Sequence, residues 1–370
     1  MMDKNIKFNY DDVVIVPEVN CRMSTRNACD CTDENNMLPI FTAPMSTVVD
    51  ESSMVEYYRV GIYSVLPRTI STSIRKKYLF ETNKYNCFVA VSLTEFEDLF
   101  IYNRSTYDSN IVPRVCIDVA NGHMLKIVDL VKRAKSIHPN LCVMAGNIAN
   151  PLTYLEYDKA GIDYCRVGIG TGSGCLTSSN TGIHYPQFSL LEEIYRLKVE
   201  NKCKCKIVAD GGIKGYRDIQ KALIFADYVM IGGLFNKAID SAGELRYGKC
   251  YINLFGVKLF RPIKTLLYKG RKVARVTPKL IKQMKSGEVE LVKEFYGMST
   301  KKAQKLINSE KQLKTSEGIV KTNKVEFTLE DWAKNERDYL RSAMSYTNSV
   351  SLAEYKDSKY VQLNRISYNN

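Results

Sequence analysis

The sequence predicts a closed (β/α)8 TIM barrel, a single domain with an enlarged basic insertion after the eighth strand. Three observations carry this. Eight short apolar runs alternate with amphipathic helical patterns, as strands buried on both faces do when helices separate them. Glycine or polar turns punctuate the ends of six of those runs. The first βα turn lacks the Gly-x-Gly-x-x-Gly that a doubly wound open sheet would carry there.

The runs are Leu38–Met45, Val60–Leu66, Cys87–Val91, Arg114–Asp118, Leu141–Ala145, Tyr164–Ile169, Lys206–Asp210 and Tyr228–Ile231. Each is short and bounded by Gly, Pro, Asn or Asp, which is how buried strands read. Helices are predicted over Met124–Ser136, Pro151–Ala160, Ser189–Glu200 and Gly215–Phe225. Pro151 after Asn150 makes a helix start, and Asp163 after Ala160-Gly161 reads as an αβ turn. Near the C-terminus a helix is predicted around Leu329–Arg341 and a strand over Tyr360–Ile366.

Composition excludes several classes. The 370 residues are those of a soluble globular protein, with no apolar run long enough to span a bilayer. Residues Met1-Met2-Asp3-Lys4-Asn5 lack the charged-then-apolar pattern of a secretory signal, so a cytoplasmic location is expected. The 11 cysteines are odd in number and scattered, which reads as reduced thiols. Neither Cys29 and Cys31 nor Cys203 and Cys205 have the company of a zinc site, and the three histidines argue against a multi-histidine metal centre. The net charge of +13 is concentrated between Arg246 and Glu294, where only Glu288, Glu290 and Glu294 oppose the lysines and arginines. Without interleaved aromatic motifs, the basic insertion at about 246–285 reads as a solvated surface, and no nucleic-acid partner is expected. Thr277-Pro278 could cap and start a helix within it.

In a barrel the six punctuated strand ends converge on one rim, where such enzymes keep their chemistry. Pro44-Met45 follows the first run, Asp118-Val119-Ala120-Asn121-Gly122 the fourth, and Gly146-Asn147 the fifth. Gly170-Thr171-Gly172-Ser173-Gly174-Cys175-Leu176-Thr177 follows the sixth and places a lone cysteine in a glycine loop, a candidate nucleophile. Asp210-Gly211-Gly212 and Gly232-Gly233 end the seventh and eighth. Bare backbone N–H groups at these two turns suit a phosphate, which leaves Asp210 free to accept from ribose hydroxyls.

Several of these stretches together resemble the IMP dehydrogenase/GMP reductase family: Asn9–Pro17, Ala43–Val48, Gly168–Cys175, Ala209–Ile213, Met230–Gly233, Tyr296–Ser299 and Ser316–Gly318. Within it, three features resemble the reductase branch. The chain is too short between the second and third strands for a regulatory domain pair, Ile117–His123 has the reductase form of its turn, and Ser299–Glu317 is short and lacks the Arg-Tyr of the dehydrogenase flap. The resemblance implies NADPH-dependent reductive deamination of GMP to IMP, with Cys175 attacking purine C2 and Thr177 and Glu317 handling the proton. It further implies substrate contacts at Ser173, Asp210, Gly211, Gly212, Gly232, Gly233, Gly297, Met298, Ser299, Ser316 and Gly318. Cofactor contacts are implied at Thr25, Arg26, Arg68, Asp118, Val119, Ala120, Ile169, Gly170 and Met298. Potassium would be held by the carbonyls of Gly170, Gly172 and Cys175, and the implied assembly is a homotetramer. The cysteine loop departs from the family in ending Leu176-Thr177-Ser178 and in carrying Gly174 where a bulkier residue is usual. Two other readings stay open at this point: IMP dehydrogenase chemistry with NAD, and a purine-nucleotide-binding protein without turnover.

Overall fold

The computed structural model describes residues 6–81, 84–102, 111–172, 176–254, 257–260, 276–307 and 318–363. Eight parallel strands form the barrel: β1 (Ile40–Thr42), β2 (Val65–Leu66), β3 (Phe88–Val91), β4 (Arg114–Asp118), β5 (Cys142–Ile148), β6 (Tyr164–Val167), β7 (Lys206–Asp210) and β8 (Tyr228–Ile231). They pair in sequence order from β2 to β8, and β8 returns to β1 through Phe41 opposite Met230. A parallel bridge between Phe41 and Tyr63 closes the ring. The predicted fold is therefore the observed one.

The first two strands are shorter than their apolar runs. Pro44 has no N–H to give the ladder, and the chain turns back at once, Met45 N–H donating to the Ala43 carbonyl at 2.7 Å. Val60 caps helix α1 (Glu51–Arg59), and the next residue, Gly61, sits at φ +82°, so the first part of the second run is a helix terminus.

The intervening helices begin where the sequence supplies caps. At α1 the Asp50 carboxylate accepts from the Ser53 N–H. Helices α2 (Thr72–Phe80), α3 (Leu93–Glu97) and α4 (Leu125–Ile137) follow. In α5 (Pro151–Lys159) the Asn150 side chain accepts from the Leu152 N–H and proline takes the first turn, where no N–H is needed. Helices α6 (Gln187–Glu200) and α7 (Tyr216–Leu223) complete the βα repeats before β8. The long α8 (Leu329–Tyr346) is capped by Thr328, with Glu330 and Asp331 in its first turn. Trp332 of α8 is 2% exposed and wedges between Phe235, at 4.8 Å, and Tyr216, at 5.4 Å.

Two αβ turns use one device. Asp163 accepts from the Val143 N–H and the Lys135 ammonium, both at 2.7 Å. Asp227 accepts from the Ile207 N–H at 2.7 Å and the Lys198 ammonium at 2.5 Å. Each carboxylate thus ties the start of the neighbouring strand to the helix that precedes that strand. Burial raises the Asp227 carboxyl, but Lys356 and Lys198 outweigh it and hold the group below its ordinary value.

The barrel interior is filled by aromatic rings towards the strand starts. Phe41 lies 5.1 Å from Tyr63, 5.6 Å from Phe88 and 5.0 Å from Tyr228, centroid to centroid, in tilted or edge contacts. The tyrosine hydroxyls of Tyr63 and Tyr228 donate to Asp33 beneath them, so the polar tips of the plug are satisfied. This seals one end and leaves the other for polar residues.

Residues 246–254 and 257–260 of the basic insertion belong to an antiparallel sheet, while 255–256 and 261–275 lie outside the described residues. Strands β9 (Leu245–Leu254), β10 (Val257–Phe260), β11 (Val289–Tyr296) and β12 (Val320–Lys324) lie in the order β10-β9-β11-β12. Alternate residues of β11 are buried, and Val289 and Leu291 pack with Ile239, Leu245, Leu280 and Val325. The predicted helix start is observed: Thr277 accepts from the Leu280 N–H and Pro278–Lys285 is helical. Lys293 on β11 is 1% exposed, and its ammonium donates to the carbonyls of Ala238, Ile239 and Ser241 and to the Ser241 hydroxyl. The far end of β11 is fixed to the barrel where Asn236 donates to the Thr47 carbonyl at 2.7 Å and the Glu294 carbonyl at 3.1 Å. That attachment carries Gly297, Met298 and Ser299 over the barrel mouth. The terminal strand Tyr360–Gln362 pairs antiparallel with Val13–Ile15.

Candidate active site

A cleft opens at the C-terminal ends of the strands, in two adjoining compartments of about 300 Å³ and 170 Å³. Both are walled by Ala43, Met45, Gly172, Asp210, Gly211 and Ser299. The larger adds Arg68, Asp118, Val119, Ala120, Ile169, Gly170, Thr177 and Met298 from the predicted set. The smaller adds Gly212, Gly232, Gly233 and Gly297, so the two glycine turns expected to bind phosphate share one chamber.

Each wall has a local cause. Gly211 sits at φ +101°, and a Cβ there would lie 2.1 Å from Thr171 Oγ1, so only glycine lets the seventh turn lie against the cysteine loop. The Thr171 hydroxyl donates to the Asp210 carbonyl at 3.3 Å across the same junction. The N-terminal motif braces this region from behind. Asn9 accepts from the Gln187 N–H at 3.0 Å, and the Gln187 amide donates to the Val167 carbonyl at 2.7 Å. A Cβ on Gly212 would meet the Tyr10 ring at 3.2 Å.

The floor of the larger compartment is charged. Arg166 on β6 points into the barrel in phase with Tyr164, and its side chain is 6% exposed. Its guanidinium donates to Asp118 Oδ1 at 2.7 Å and twice to Asp210 Oδ2, at 2.8 Å and 3.1 Å. Burial disfavours its charge, yet Asp210 and Asp118 outweigh that and hold it firmly cationic. The Asn147 amide donates to the same Asp210 Oδ2 at 2.8 Å and to the Gly168 carbonyl at 2.9 Å. Arg68 Nε stands 3.6 Å from Asp118 Oδ2, too far for a hydrogen bond, and is a buried donor without a hydrogen-bond acceptor among the described residues. Beneath them burial pushes the Cys116 thiol up to about 12, which marks it as inert.

Thr177 begins the short helix Thr177–Thr181 and lines the larger compartment. Ser173, Cys175, Ser316 and Glu317 lie outside the described residues; Gly318 is described and buried, but is not among the cleft walls. Thr25 and Arg26 are not brought to this cleft. Thr25 caps the turn Arg26–Ala28, and Arg26 faces Asp338 of α8 at 3.4 Å. On that stretch of α8, Arg337 donates to the Val60 carbonyl, at the end of the barrel where strands begin. Around the implied cation, the Gly170 carbonyl already accepts the Ser178 hydroxyl at 3.2 Å, and no group of three or more His, Cys, Asp or Glu among the described residues could hold a metal.

Sequence reasoning missed Arg166 and did not single out Asn147 as a site residue. A signal existed for the first: within Tyr164-Cys165-Arg166-Val167, a charge falls in the strand phase opposite to Cys165 and Val167, which pack outward.

The IMP dehydrogenase / GMP reductase domain model matches residues 7–261. The chain is 30% identical to a protein named GMP reductase from Bacillus subtilis (strain 168) over 257 residues, covering 67% of this chain and 77% of that relative. It is 31% identical over 257 residues, with the same coverage, to one of that name from Staphylococcus saprophyticus. Another from Latilactobacillus sakei is 31% identical over 244 residues, 64% of this chain and 74% of the relative. Among the described residues no helix is long and apolar enough to cross a membrane. The barrel, the glycine turns converging on its mouth and the match over 7–261 together make this chain a member of the IMP dehydrogenase/GMP reductase family.

Proposed function

We propose that the chain catalyses the NADPH-dependent reductive deamination of GMP to IMP and ammonia. The observation that carries the reading is one cleft shared by the loop of Gly170, Gly172 and Thr177 with the turns Asp210-Gly211-Gly212 and Gly232-Gly233. Those parts suit a purine ribonucleotide 5′-phosphate: backbone N–H groups for the dianion, a carboxylate for the ribose, and a hydroxyl near the purine. The relatives' name, GMP reductase, favours the reductase over the dehydrogenase.

In this mechanism the Cys175 thiolate adds to purine C2. The 2-amino group takes a proton through Thr177 and Glu317 and leaves as ammonia, giving a thioimidate on the cysteine. When bound, the reduced nicotinamide supplies hydride to C2; the C2–S bond then breaks and IMP is released. The chain's residues fit that cofactor. Arg68 places a guanidinium on the cleft wall beside Asp118, and Val119, Ala120, Ile169 and Met298 give an apolar wall. A potassium ion, if bound, would be held by the carbonyls of Gly170, Gly172 and Cys175, with the Ser178 hydroxyl on one of the two lone pairs of the Gly170 oxygen. The same reading takes the whole chain as one domain and the working form as a cytoplasmic homotetramer. Thr25 and Arg26 would then serve the cleft of a neighbouring subunit, because their own lies beyond their reach.

The test is the absorbance of the reduced nicotinamide band with purified protein. GMP should cause NADPH to be consumed with stoichiometric IMP and ammonia. Growth of the band with IMP and NAD, and none of that loss with GMP, would assign the dehydrogenase reaction instead.

A further inference from the structure

Asp210 is held by more than its backbone. Its Oδ2 accepts three bonds, two from Arg166 and one from Asn147, while Oδ1 has no donor among the described residues. The side chain is 14% exposed on the cleft wall. A carboxylate saturated on one oxygen cannot rotate without breaking three bonds, so the other oxygen has a fixed direction. The third nitrogen of Arg166 reaches Asp118 on the opposite wall at 2.7 Å. One buried guanidinium therefore joins the two carboxylates that face the two ligand regions. The barrel is built to admit it: a Cβ on Gly146, the cross-strand partner of Arg166, would come within 2.5 Å of Arg166 Cβ and 2.6 Å of its carbonyl oxygen.

We infer that Arg166, with Asn147, is a positioning residue that makes the site selective for ribonucleotides, by presenting Asp210 Oδ1 as a fixed acceptor for the ribose hydroxyls. The inference rests on the proposed purine-nucleotide site but not on the reaction run there. Without the guanidinium, Asp210 would turn freely, and its grip on the diol would weaken more than contacts to base or phosphate.

The test compares the binding of GMP and of 2′,3′-dideoxy-GMP by calorimetry to the full-length protein and to its Arg166→Met and Arg166→Lys variants. The unaltered protein should bind the dideoxy ligand about tenfold or more weakly, as loss of a hydrogen bond to a charged group predicts. In R166M that ratio should fall below about threefold, and R166K, which supplies one point charge, should restore part of it. A merely structural role would weaken both ligands alike and leave the ratio intact; that result would overturn the inference, for R166K alone if R166M does not fold. A ligand-free arm separates the two claims. Crystal structures of the two ligand-free variants should show the Asp210 carboxylate rotated or in more than one conformer, and an unmoved carboxylate would refute the positioning role. If the unaltered protein bound neither nucleotide while the carboxylate moved in the variants, the purine-site reading would fail, and with it the ribose selectivity, leaving only the Arg166–Asp210 contact.

Discussion

Replacing Gly146 by alanine adds one methyl group at a crowded point of the barrel. The new Cβ would meet Arg166 Cβ at 2.5 Å, its carbonyl oxygen at 2.6 Å and its Cα at 3.1 Å. None of these is the far end of a flexible side chain, so β5 and β6 must part by roughly 1 Å to reach ordinary contact. Overpacking of this kind costs about 1–3 kcal/mol, and the backbone obstacle places G146A towards the upper end. The same shift moves the guanidinium away from Asp118 and Asp210, and a displacement of ~1 Å in positioning groups costs on the order of 100-fold in kcat/KM. Gly161→Ala is the control. Gly161 has a positive φ, +79°, and its nearest atom is Lys135 Cγ at 3.9 Å, in an αβ turn remote from the cleft. It should lose about 1–2 kcal/mol from backbone strain and keep its kinetics. Urea unfolding followed by steady-state GMP-dependent NADPH oxidation measures both effects. A G146A protein with the unaltered midpoint and unaltered kcat/KM would refute the reasoning.

Two further outcomes follow from buried charges. Lys293→Met keeps the apolar stem but leaves the carbonyls of Ala238, Ile239 and Ser241 without their donor; the urea midpoint should correspond to a loss of about 3 kcal/mol. Asp227→Asn should cost about 1–3 kcal/mol at neutral pH, less than a dry ion pair because 24% of the side chain is exposed. The native carboxyl is held below its ordinary 3.8, so its contribution is complete above that value and disappears as pH falls through the lower native one. The stability gap between the two proteins should therefore be constant from pH 7 to about 5 and narrow below pH 4; a gap that widened in acid would contradict the assignment.

Much of the barrel was legible because two-face burial leaves apolar runs that need little context, as at Phe88–Val91 and Tyr228–Ile231. The ends of β1 and β2 were less so. Leu38, Val60 and Ile62 are as buried as strand residues, but they pack in a loop and a helix terminus, and hydrophobicity does not distinguish these. The cleft walls were legible where glycine was required, at Gly211 and in the loop from Gly170. Arg166 was not, because a charge inside a strand reads as an edge or a surface until two carboxylates from β4 and β7 are seen to meet it. The basic stretch reads as solvated from its charge, whereas β11 within its C-terminal flank buries Lys293 and holds Met298 and Ser299 at the cleft. Net charge over a segment does not record which ammonium groups find carbonyls.

The central claim is a bond between Cys175 Sγ and purine C2. Intact-mass spectrometry of the protein quenched during GMP turnover should find an adduct equal to the nucleotide less ammonia, absent from Cys175→Ala, which should still bind GMP. Turnover with no such adduct at any quench time, together with undiminished IMP formation by C175A, would contradict the account.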